Sequence, residues 1–135
     1  MELENKIYLG VDWGEARIGL ALADSEINLA TPFKTVPSLT ELLQTIKEEM
    51  VDCVVIGQPI KMRGESEGIS SQFTAFLNKL KEFLPDTEIV LVDERLSSQA
   101  ADSLPGDRKT KAGRDEMAAM IILQNYLDKA FNAKC

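Results

Sequence analysis

The chain has 135 residues, 44% hydrophobic and 27% charged, and is expected to form one soluble domain, 1–135, with a core of its own. It has no histidine, which excludes a Ser-His-Asp triad, an HExxH zinc site and any histidine general base, and its two cysteines, Cys53 and Cys135, stand in no CxxC spacing that would mark a zinc ribbon. The net charge of -7 argues against nonspecific coating of nucleic acid but leaves room for a local basic patch.

In chain order, residues 6–12 read as a buried strand and 17–24 as a second. Trp13-Gly14-Glu15-Ala16 between them is short, and Gly14 can take positive φ, so a hairpin is expected. A third strand near 32–36 is limited to an edge by Pro32 and Pro37. Ser38-Leu39-Thr40-Glu41 has the form of a capping box, followed at helical spacing by Leu42, Leu43, Ile46 and Met50. Val51 to Gly57 is a near-continuous apolar run, like a strand covered on both faces. The next helix carries Ile69, Phe73, Phe76, Leu77, Leu80 and Leu84 and stops at Pro85. Ile89 to Val92 is a buried strand ending at Asp93-Glu94, and a short helix is expected over 97–104. Pro105 to Gly113 has loop composition. A final helix runs from about Arg114 to Phe131, with Met117, Met120, Ile121, Tyr126 and Leu127 as core candidates. Three strands followed by helix, strand, helix, strand and helix imply an α/β fold: a five-stranded mixed sheet flanked by helices. No apolar run approaches the ~18 residues of a membrane span, and Met1 to Lys6 is charged and unlike a signal peptide, so a cytoplasmic, membrane-free setting is expected.

Acids fall at informative places. Asp12 ends the first strand beside a glycine turn, Asp93 and Glu94 end the last strand, and Asp115 opens the final helix. Strand carboxyl ends gather on one edge of a parallel region, where open sheets place their sites. Acids brought together there repel unless a divalent cation holds them. Without histidine the ligands are oxygens, which suit Mg2+ or Mn2+ better than zinc. Each acid also has a plainer role: Asp12 as a turn acceptor, Asp93 or Glu94 as a helix cap, Asp115 as a partner of the helix dipole. Cations cluster as well. Arg108, Lys109, Lys111 and Arg114 share one segment, Lys61 and Arg63 follow the Val51–Gly57 run, Arg95 follows the strand-end acids, and Arg17 follows the first turn. They suit phosphate contacts, or else a solvated loop. Cys53 reads as core.

Four blocks carry a resemblance. Gly10-Val11-Asp12-Trp13-Gly14-Glu15-Ala16-Arg17-Ile18-Gly19-Leu20-Ala21 resembles a GxDxGxxRIGxA signature. Val55 to Gly64 resembles a VGLPxxMxG loop, with Gln58 in place of leucine. Asp93-Glu94-Arg95-Leu96-Ser97-Ser98 resembles DERLTT, with two serines for threonines. Asp115-Glu116-Met117-Ala118-Ala119, continuing to Leu123-Gln124-Asn125-Tyr126-Leu127-Asp128, resembles DxxAA…LQxYLD. In this order the blocks are similar to the YqgF, or RuvX-like, nuclease family; Leu104 to Arg114 is the least similar stretch. The resemblance implies a ribonuclease H-like fold and a metal-dependent nuclease with Asp12, Glu94 and Asp115 as its acidic triad and metal ligands, Asp93 instead supporting the turn. It implies two metals, Mg2+ or Mn2+, activating water for in-line phosphodiester cleavage. It also implies processing of the end of precursor 16S ribosomal RNA, and by analogy resolution of Holliday junctions. The expected partners are structured RNA, four-way DNA junctions and ribosome precursors. With no heptad repeat and no spare apolar run, a monomer or weak homodimer is expected. Two rivals stand beside this. A DxG hairpin also opens actin-like ATPases and sugar kinases, which need a second such domain, and a noncatalytic nucleic-acid-binding module could share the fold.

Overall fold

A computed structural model describes residues 6–14, 16–58, 71–93 and 111–133, with the backbone alone at 93, 111–114 and 130–133. Its elements are β1 (Ile7–Trp13), β2 (Ile18–Asp24), β3 (Thr31–Val36), α1 (Leu39–Glu48), β4 (Cys53–Gln58), α2 (Ser71–Phe83), β5 (Glu88–Asp93) and α3 (Lys111–Ala133). The strands form one mixed sheet in the order β3-β2-β1-β4-β5. β1 pairs antiparallel with β2 and parallel with β4; β2–β3 is antiparallel and β4–β5 parallel. The five-stranded mixed sheet expected from the sequence is the observed one. β3 lies at an edge, and its ladder skips Phe33, which accommodates Pro32 inside the strand.

Side-chain alternation divides the core in two. Leu9, Val11, Ile18, Leu20, Val54 and Ile56 pack against Leu42 and Ile46 of α1 and Phe73, Phe76 and Leu80 of α2. On the other face Ala21, Ala23, Cys53 and Val55 pack against Ala119, Ile122, Leu123 and Leu127 of α3. Residues 53–57 are all buried, because β4 lies between two strands and under helices on both sides.

Several local expectations are corrected. α3 begins at Lys111 rather than Arg114, so residues 111–113 are helical; a glycine such as Gly113 costs a helix only about 1 kcal/mol relative to alanine and does not break it. The buried face of α3 is Ala118, Ala119, Ile122, Leu123 and Leu127, while Met117, Met120, Ile121 and Tyr126 are only partly buried. The small residues face inward because the sheet presents Gly10 and Gly19 there and the helix lies close. Met50 is 77% exposed, since α1 ends before it. Ser38 occupies the N-cap position but makes no side-chain capping bond. Gly14 does not need positive φ. Its role is room, because a Cβ there would lie 2.9 Å from the Arg17 carbonyl oxygen. The left-handed positions among the described residues are Asn28 and Met50. The helix expected over 97–104 lies outside the described residues.

Candidate active site

Asp12 sits near the carboxyl end of β1, one residue beyond the Val11–Ile56 pair that joins β1 to β4. Leu9 and Val11 belong to the face covered by α1 and α2. Gly10 lies directly under α3, where a Cβ would meet the Ala119 carbonyl oxygen and Leu123 Cβ, both at 2.7 Å. Asp12, two residues on, therefore faces the α3 side. Trp13 turns the other way, with its ring 5.5 Å from Phe73 and 5.9 Å from Phe76. This anchorage on α2 fixes the strand end that carries Asp12.

Across the hairpin, Asp12 is paired with Gly19. Directly opposite residues share a face and lie a few ångströms apart. Above Gly19 is Asp115: a Cβ on Gly19 would come 2.3 Å from the Asp115 carbonyl oxygen and 2.9 Å from Asp115 Cβ. The missing side chain of Gly19 is what lets Asp115 settle beside Asp12. Arg17, one residue before β2, donates from Nε to Asp115 Oδ2 at 2.5 Å. Thr35 Oγ1 of β3 donates to Glu116 Oε2 at 3.3 Å, which ties the same turn of α3 to the sheet edge. Asp115 is the fifth residue of α3, and no acid lies in the first turn. The dipole explanation for this acid therefore loses its basis, because that effect fades beyond the first turn.

Thus Asp12, Asp115 and Arg17 come together. Gln58 and Asp93 close the parallel ladders at the same edge, paired in register. Glu94, Lys61, Arg63, Arg95, Arg108 and Lys109 lie outside the described residues, as do the side chains of Lys111 and Arg114, whose backbones form the first turn of α3. Among the described residues no group of three acids, cysteines or histidines forms a metal cluster. The donors present are carboxylate oxygens, and these fit a hard divalent cation. Cys53, the thiol of the described residues, is 1% exposed on the α3 side, and burial followed by the nearby Glu88 pushes it up to about 12. It stays protonated and takes no part. Gln124, part of the LQxYLD block, has a role that no local pattern marks: its Oε1 accepts from the Ala30 N–H at 2.8 Å and its Nε2 donates to the Asn28 carbonyl at 3.3 Å, clamping the β2–β3 turn to α3.

Residues 6–129 match a family model described as RuvX, Holliday junction resolvase. The chain belongs to the RuvX family. RuvX relatives provisionally named pre-16S rRNA nuclease include one from Maridesulfovibrio salexigens, 40% identical over 90% of this chain and 98% of the relative. Another, from Chloroflexus aggregans, is 33% identical over 96% of this chain and 99% of its own. Among solved structures, Fowlpox virus resolvase with Holliday junction DNA is similar at a TM-score of 0.60, with 12% identity, over 92% of this chain and 98% of that one. Thermus thermophilus RuvC with its junction substrate matches at 0.57, with 11% identity, over 93% and 96%. At such identities the likeness is one of fold, and the RuvX chain has the ribonuclease H-like architecture its motifs imply. No helix among the described residues is long and apolar enough to cross a membrane.

Proposed function

We propose that this protein is a divalent-metal-dependent nuclease hydrolysing phosphodiester bonds in structured RNA, in 5′-end processing of precursor 16S ribosomal RNA. The observation that carries the reading is the seating of Asp115 on Gly19, directly opposite Asp12. The names of RuvX relatives aligned over nearly their whole length support it.

In this reading Asp12, Glu94 and Asp115 hold Mg2+ or Mn2+. When bound there, such a cation would supply the charge that acidifies water and offsets the phosphate. The protein's own part is positional. β1, pinned through Trp13, holds Asp12. α3, seated without a spacer on β2, holds Asp115. Arg17, Lys61, Arg63, Arg95, Arg108, Lys109, Lys111 and Arg114 grip phosphates along the substrate.

Precursor 16S fragments incubated with the protein and Mg2+ are expected to be cut at single positions. Activity should vanish with chelator and return with either ion. Cleavage in chelator, strict dependence on zinc, or binding without any cleavage would overturn the nuclease reading. Replacing Arg108, Lys109 and Lys111 with alanine should flatten the salt dependence of RNA binding by roughly one unit of slope per lost phosphate contact.

Junction resolution is the second reading, favoured by the description of the matching family model. It needs paired cuts and hence a two-fold dimer, whereas the RNA reading works with a monomer or weak homodimer. Sedimentation with and without a four-way junction separates them. A stable dimer that nicks junctions symmetrically and leaves precursor RNA intact reverses the ranking.

A further inference from the structure

Arg17 and Asp115 lie 98 residues apart in the chain, yet Arg17 Nε engages Asp115 Oδ2 directly. The side chains are 40% and 22% exposed. We propose that Arg17 is an exchangeable counter-ion: it holds the Asp115 carboxylate while no divalent cation is bound and surrenders it when one arrives. The inference rests on the metal reading given above.

Three observations lead to it. First, Asp12 is paired with the Gly19 on which Asp115 rests, so two acids are brought to one place on the sheet, and a counter-charge on Asp115 lowers the cost of gathering them. Second, both backbones are fixed. Arg17 directly precedes Ile18, which is 3% exposed in the core, and Asp115 rests on Gly19. Making or breaking the pair therefore takes only side-chain rotation. Third, a pair this exposed is weak, whereas a divalent cation on several carboxylate oxygens is held more strongly.

The two cannot share the carboxylate comfortably. A guanidinium and a divalent ion on one carboxylate repel by an amount worth roughly tenfold in affinity even at the dielectric of water. Arg17 therefore leaves, and its freed guanidinium is available to a phosphate at the moment the cation is in place. A permanent orienting role predicts the opposite sign, since losing a group that orients a ligand weakens metal binding.

The test is Mn2+ binding by the full chain, followed through the electron paramagnetic resonance of free Mn2+, with circular dichroism confirming the fold. Arg17→Gln is expected to bind up to about fivefold tighter than the unmodified protein, the equivalent of the exposed pair that the cation must break. Arg17→Lys, which keeps the charge, should bind much as the unmodified protein does, and Asp115→Asn should bind more weakly. Equal or weaker binding by Arg17→Gln overturns the exchange. A measurement on the unmodified protein stands beside the variants: the Arg17 Nε–H resonance should lose its hydrogen-bonded shift in step with Mg2+ saturation, and a resonance unmoved at saturation also overturns it. If the unmodified protein binds neither ion, the metal reading fails and takes the exchange with it. Binding with no response at Arg17 removes the exchange alone.

Discussion

Gly10 and Gly19 let α3 lie directly on β1 and β2, but only Gly19 carries Asp115 above it. Gly19→Ala and Gly10→Ala should each cost about 1–3 kcal/mol by overpacking. Gly19→Ala should in addition separate Asp115 from Asp12 and lower cleavage far more. Urea denaturation run beside a cleavage assay checks this, and equal activity losses at the two glycines would show that the site does not depend on the contact. Asp12→Asn keeps shape and removes a charge, so a folded protein with cleavage reduced by orders of magnitude is expected. Gln124→Ala strands the N–H of Ala30, which is 4% exposed, and should cost about 1–3 kcal/mol in urea denaturation without changing cleavage. Asp12 and Asp115 could be singled out in the sequence only in combination, because each alone has a plain structural reason at a turn or a helix start, whereas several acids gathered at one sheet edge in a chain without histidine do not. The Arg17–Asp115 pair and the Gln124 clamp could not, since their partners are more than ninety residues away and nothing local marks them. Gly19 stands in the sequence as one position of a motif, and its reason, the approach of a helix, exists only in three dimensions.

α1 shows how an element can end against expectation. The Val51 N–H reaches the Ile46 carbonyl at 3.1 Å, the Met50 N–H reaches Lys47 at 3.3 Å, and Met50 sits at φ 55°. This is a Schellman ending with methionine where glycine is usual. Met50 is exposed, so Met50→Gly loses little packing and should raise stability by about 0.5–1 kcal/mol, after the extra entropy of the unfolded glycine is counted. A lower urea midpoint for the variant would contradict this. The strands were legible to within about two residues because buried runs and alternation mark them directly. Helix starts were less so. The Ser38 pattern suggests a bond that is not made, and Gly113 suggests a break the helix passes through. Packing against the sheet outweighs both local signals.

At the scale of the whole molecule, the α3 face gathers groups that resist ionising. Burial first, and Glu88 next, pushes the Cys53 thiol from 9.0 to about 12, and burial also raises Tyr8 and Tyr126, whose rings lie 6.3 Å apart. Each folded-state pKa is above its unfolded value, so the folded protein keeps these protons longer. The stability this confers is complete below about pH 9 and is lost as pH rises toward 12. Urea stability should therefore hold up to about pH 9 and fall between there and about pH 11, less steeply in Cys53→Ala. A flat profile would mean that this face is not dry. The same face has a consequence for the order of synthesis. The hairpin bearing Asp12 leaves the ribosome well before α3. Until α3 docks, Ala21, Cys53 and Val55 stand open to water and Asp12 has no Asp115 beside it; docking ends both conditions at once. On the proposed reading, chains whose α3 has not docked, or has come away, are therefore expected to be inert toward the RNA around them, so that cutting begins only once that helix is seated.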